Sequence, residues 1–206
     1  MSELLALTAA RVEAISGEVL AASLDLAVRG PRAVVVGDVG PLVALLTGRA
    51  RLAAGEARVL GRSLEEARAD VSVAPRDPPL LDDLTPLAHV AWAARLAGMN
   101  GAAARAASLR ACALAELGPW ASRPLSGAPL AVRRVTVLAG AASSSPALLF
   151  AEAPLDGLDD ASATIVLATL GRLVGDRAAV VSTPSEPIAG SPAASLLEGA
   201  TDVVYR

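Results

Sequence analysis

The chain has 206 residues, a net charge of −3, 53% hydrophobic residues and only 2% aromatic ones. That length buries one good core and argues against two independent domains. Scattered basic residues and the lack of aromatic platforms leave no footprint for nucleic acid, and no run of about twenty apolar residues escapes charge, Pro or Ser clusters, as a membrane span would require.

The longest uncharged stretch, Val135 to Ala151, is interrupted by Ser143, Ser144, Ser145 and Pro146 and reads as helix, turn and strand. No basic-then-apolar order marks the N-terminus, so a signal peptide is not expected. Cys112 is the only cysteine, which forbids an internal disulfide and suits a reducing compartment, with the cytoplasm as the expected location. All 18 basic side chains are Arg, Gln is absent, and His89 is the only histidine; catalysis that needs Lys, Gln or several His has nothing to draw on.

In chain order, Glu3 to Thr8 and Ser23 to Val28 read as strands, and Arg29, Gly30 and Pro31 turn the chain into the apolar run Ala33 to Val36. Pro41 suits the first turn of a short helix, Leu42 to Thr47. Gly55 and Gly61 then punctuate short strands before the run Val71 to Ala74. From Leu84 to Leu117 the pattern predicts two Ala- and Leu-rich helices separated by Gly98, Asn100 and Gly101. Beyond Pro124, βα alternation predicts a helix through Arg133 and Arg134, a strand at Ala147 to Ala151, a helix from Ala161 to Val174 and a strand at Ala178 to Ser182, hence a mostly parallel sheet. His89 and Trp92 are expected on a partly exposed helix face with the aromatic in the core, Arg133 and Arg134 on a solvated face, and Trp120 in a loop.

Five segments carry chemistry by their order: AVVVGDVG (Ala33 to Gly40) followed by PLVALLTG, VAPRDPPLLDDLTPLAHVAWAARLAGM, LSGAP (Leu125 to Pro129), LLFAEAPLDGLDD, and VVSTP (Val180 to Pro184). Over nearly the whole chain this series resembles the nucleotide-binding subunit of an ATP-binding cassette (ABC) transporter, with each motif damaged. The resemblance implies a P-loop NTPase-like ABC ATPase fold. Its parts would be a mostly parallel α/β core, an N-terminal antiparallel β part and a helical subdomain over about 80–125, all within a single domain, 1–206.

An intact phosphate loop, GxxGxGKST, wraps phosphates in backbone N–H groups, bridges them with Lys and holds magnesium through Ser or Thr. Matching Gly37, Gly40 and Gly48 to that pattern leaves a gap of about four residues, and Asp38 adds negative charge where phosphate would lie. Arg76 stands at the Gln of the Q-loop. Ser126 and Gly127 keep the start of the LSGGQ signature while Ala128 and Pro129 depart from it. Counting back from Gly157, Leu158 and Asp159 places Glu152 at the magnesium-binding Asp and Ala153 at the catalytic Glu, and a methyl group cannot polarise water. The alternative register puts Glu152 at the catalytic position and Ala151 at the Asp, and loses one carboxylate as well. Pro184 stands at the switch His, and the adenine-stacking aromatic would fall near Ile15.

By this resemblance Gly37, Gly40, Ser126, Gly127, Glu152 and Asp159 are the remnants of a nucleotide site, and no catalytic or metal residue is expected. ATP and magnesium are not expected to bind tightly. The implied partners are an ABC permease, through which alone the chain would meet the membrane, and either an intact ABC ATPase or a second copy. The implied function is a non-hydrolysing partner or scaffold. A nucleotide-independent regulatory protein, or a weak ATPase drawing its positive charge from Arg49 or Arg51, are the other readings.

Overall fold

The structure is a computed structural model and describes residues 3–77 and 80–206. Two sheets form the molecule. The first is antiparallel, in the order β2-β1-β4-β5, from β1 (Glu3–Ala14), β2 (Val19–Arg29), β4 (Ala50–Val59) and β5 (Arg62–Ser63). The second is fully parallel, in the order β6-β7-β8-β3-β9, from β6 (Val71–Ala74), β7 (Leu148–Ala151), β8 (Ala178–Thr183), β3 (Arg32–Val36) and β9 (Asp202–Tyr205).

β1 runs six residues past the expected end at Thr8. A bulge at Ala9 lets it continue: Ala9 takes a positive φ of 44°, and its N–H donates to Asp25 Oδ1 at 2.7 Å. An unpaired ladder donor is thereby satisfied and pairing with β2 resumes at Ala10. Gly55 does not break β4, as its turn signal suggested. It faces the bulge, where a Cβ would sit 2.3 Å from the Ala9 carbonyl oxygen, so only glycine lets the two strands meet.

Helices fill the connections. α1 (Gly40–Leu46) follows β3, and α2 (Leu64–Ala67) begins with a reciprocal cap between Ser63 and Glu66. Between β6 and β7 come α3 (Pro86–Leu96), capped by Thr85, α4 (Gly101–Leu114), capped by Asn100, and α5 (Leu130–Ala142). Trp120 closes a short 3₁₀ turn, Gly118–Trp120, rather than lying in open loop. α6 (Asp160–Val174) joins β7 to β8, and α7 (Ala194–Glu198) leads to β9, two elements beyond the last one the periodicity announced.

Alternation along the parallel strands divides the core in two. Leu148, Phe150 and Val180 face the antiparallel sheet and α1, whereas Leu149, Ala151, Ala179 and Val181 face α5 and α6. Both faces of β7 are buried, as a parallel strand covered by layers on each side requires. Among the described residues no helix is long and apolar enough to cross a membrane.

Two sequence expectations reverse here. The buried stripe of α3 is Pro86, His89, Val90 and Ala94, so His89 is inside, and Trp92, at the edge of that stripe, is 40% exposed. α5 is packed against α3, α4 and α6; Arg134 is buried on it, beside Arg76, Asp77 and Leu80 at the strand-end edge, while Arg133 reaches Asp82 Oδ1 at 2.8 Å and the Leu125 carbonyl at 2.9 Å. The pair is therefore not a solvated face.

Phe150 is fully buried where β7 meets Val73 of β6 and Val180 of β8. Phe150→Ala is expected to cost about 3–5 kcal/mol of stability, measured by urea unfolding at constant m.

Candidate functional site

In an open parallel sheet the crevice beyond the strands' carboxyl ends is where ligands bind. Here that edge gathers the residues after β3 (Gly37 to Gly40), after β6 (Pro75 to Asp77), after β7 (Glu152 to Asp156), after β8 (Pro184) and after β9 (Arg206).

Only Gly37, Asp38 and Val39 join β3 to α1. Gly37 has φ 126°, donates its N–H to the Thr183 carbonyl at 2.8 Å, and could not carry a Cβ, which would lie 2.5 Å from the Arg206 carbonyl oxygen. Its freedom serves close approach to β9. Asp38 Oδ1 accepts the Gly40 N–H at 2.8 Å, Pro41 has no N–H, and Val43 donates to the Val39 carbonyl at 2.9 Å. The Gly40 and Val43 amides at the start of α1 are thus taken within the chain. Pro41 through Leu46 are all buried, and a helix buried on every side is a packing element.

Glu152 and Arg76 do meet. Glu152 N–H donates to the Ala74 carbonyl at 2.9 Å, and its Oε2 accepts the Arg76 N–H at 3.0 Å. The Arg76 guanidinium lies 2.6 Å from Asp156 Oδ2. Asp156 went unnoticed in the sequence, where a lone carboxylate before Gly157 carries no signal. Ala153 is buried with φ 40°, and its N–H donates to Ser182 Oγ at 3.0 Å; Pro184, just past β8, is exposed. Among the described residues no group of three or more His, Cys, Asp or Glu side chains could hold a metal ion.

Ser126 and Gly127 lie elsewhere in the chain's contacts, in a 3₁₀ turn, Leu125–Gly127, that precedes α5 instead of starting it. Buried Leu125 anchors the turn, whose amides reach back to α3's leading loop: Leu125 N–H to the Leu84 carbonyl and Ser126 N–H to the Asp82 carbonyl, both at 3.0 Å. The turn before α6 touches the start of α5, since a Cβ on Gly157 would lie 3.6 Å from Leu130. Asp159 is the N-cap of α6, its Oδ1 accepting the Ser162 N–H at 2.8 Å. Ile15 is exposed in the turn between β1 and β2.

No family model matches the chain, and no curated protein matches its sequence. Solved structures do match. A nucleotide-free ATP-binding cassette from an ABC transporter superposes with TM-score 0.75 at 12% identity over 99% of this chain and 88% of that one. A Pyrococcus furiosus protein assigned as an ABC transporter ATP-binding protein gives 0.69 at 14% identity over 100% and 96%. The ATP-binding subunit of another ABC transporter gives 0.66 at 16% identity over 87% and 79%. The fold is that of an ABC transporter ATP-binding subunit. The three segments that the sequence resemblance reads as phosphate loop, Q-loop and Walker B lie together along the strand-end edge described above.

The hydrogen bond from Ser162 holds the Asp159 carboxyl below its ordinary value. A depressed folded pKa stabilises above the unfolded value of about 3.9 and loses that contribution as pH falls through the folded pKa. The Tm gap between the wild type and Asp159→Ala is expected to be full at pH 6 and to close below about pH 4, as read by thermal denaturation across that range.

Proposed function

We propose that this chain is a non-hydrolysing member of an ABC assembly, a partner or scaffold for an intact ATPase and a membrane permease, and that it works in the cytoplasm against the permease. One observation carries the reading. A three-residue link replaces the phosphate cradle, and the Asp38 carboxylate takes the Gly40 amide that an anion would need. Negative charge at that place repels phosphate as well as competing for its donor.

The residues present do not fit magnesium-ATP. No Lys exists to bridge phosphates, the Glu152 carboxylate is bonded to the Arg76 amide, and Ala153 offers no base. Ser126, Gly127 and Asp159 are exposed and would be presented to the ATPase partner, completing its site in trans, with α3 and α4 forming the helical subdomain on the permease side. Because Leu125–Gly127 is a 3₁₀ turn separated from α5 by Ala128 and Pro129, a second reading has support as well: a scaffold that touches no nucleotide in either direction.

Two measurements test this. Millimolar magnesium-ATP is expected to leave Tm unchanged, whereas a native-state binder at a thousandfold excess over Kd would gain roughly 4 kcal/mol; a saturable rise would return the chain to the working ATPases. Purified from its own cells in gentle detergent, the tagged protein is expected to bring a permease and an ATPase with an intact phosphate loop. In that complex Ser126→Arg should cut the ATPase rate severalfold. A rate unchanged by Ser126→Arg favours the nucleotide-independent scaffold.

A further inference from the structure

A second cavity lies away from the strand-end edge, towards the amino ends of β3 and β8. It is a cleft of about 240 Å³ between α6 and α7. On α6, Leu167, Leu170, Gly171 and Val174 recur at helical spacing and form one wall. Val34 and its strand partner Val181 lie on the floor, and Leu196 of α7 stands opposite.

The cleft is apolar and open. α7 is five residues long and buries none of them, so it leaves part of the space over β3 and β8 unfilled. Gly171 and Gly199, both exposed at the rim, have no side chain to fill it, and a Cβ on Gly171 would meet nothing within 4 Å. Folded interiors are packed as densely as organic crystals, and an apolar space left open in one takes an apolar guest: a cavity of about 150 Å³ lined by Leu, Ile and Phe binds benzene.

One charge stands at the rim. Arg32, exposed at the start of β3, is the only charged side chain lining the cleft among the described residues. One of its Nη atoms donates to the Gly175 carbonyl at 2.9 Å, which fixes the guanidinium beside the end of α6. Among the described residues Arg32 forms no ion pair, so its other N–H groups remain for an anion.

We infer that this cleft binds an aliphatic carboxylate of medium chain length, with its tail between α6 and α7 and its carboxylate on Arg32. Volume sets the length: at the filling of a benzene cavity, this space takes roughly eight to ten carbons. The lining sets the tail, because no aromatic ring borders the cleft to favour a flat ligand. Charge sets the head. A carboxylate is ionised at neutral pH, stays hydrated at the exposed rim, and matches the donor fork of a guanidinium.

Octanoate and 1-octanol have the same chain length and differ in charge, which makes them the probes. At neutral pH, calorimetry is expected to show each binding the wild type at one site, with NMR shifts at the methyl groups of Leu170, Val181 and Leu196. Arg32→Gln, which keeps an N–H donor for the Gly175 carbonyl, should weaken octanoate about two- to fivefold and leave 1-octanol unchanged. Gly171→Leu puts a side chain at the mouth and should weaken both probes about tenfold or more; as the loss of a helical glycine, it should not lower Tm. Failure of octanoate to bind at millimolar concentration overturns the inference. So do methyl shifts confined to other parts of the chain, an octanoate affinity unchanged in Arg32→Gln, or binding undiminished in Gly171→Leu.

Discussion

A parallel strand covered on both faces has no side chain to spare for solvent, and β7 and β8 place the molecule under that constraint. Leu148 and Phe150 commit one face to the antiparallel sheet and α1, while Leu149 and Ala151 commit the other to α5 and α6. The chain can turn polar only where such strands stop. That is why Glu152, Ser182, Thr183 and Asp38 fall together along one edge, although they are scattered over the sequence.

Along that edge the chain answers its own polar groups. Asp38 takes the Gly40 amide, Glu152 takes the Arg76 amide, Asp156 takes the Arg76 guanidinium, and Ser182 takes the Ala153 amide. The Arg76–Asp156 pair is half-open to solvent and contributes little by itself; the backbone contacts matter more, because each satisfies an amide from within the chain. α1 belongs to the same trade. Its helix is short, has its Gly40 amide taken by Asp38, and is buried from Pro41 to Leu46, so it supports the core.

Much of the architecture was legible from periodicity. Runs such as Val71 to Ala74 and Ala178 to Ser182, and the breaks at Gly98, Asn100 and Gly101, carry their strand and helix signals in a few neighbouring residues. Less was legible where the decisive partner is remote. β1 outlasts Thr8 because Asp25, sixteen residues on, accepts the Ala9 amide, and β9 is a strand because β3 stands beside Val203 and Val204. For His89 and Arg134 residue type argued for the surface, whereas their helices' phase and packing put both inside.

Sequence alone determined the fold class, the order of most elements along the chain, and which side chains are missing: no Lys or Gln is present, and methyl and pyrrolidine groups stand at Ala153 and Pro184, where the resemblance places the catalytic Glu and the switch His. Tertiary structure decided what those positions contact. The pairing of Arg76 with Asp156 and Glu152, the Arg206 backbone against Gly37, and the Ala153 amide on Ser182 all join segments brought together by strand order. A local pattern sets a residue's periodicity and capping, but its hydrogen-bond partner across the sheet depends on which strands lie side by side, and that is fixed only when the whole core closes.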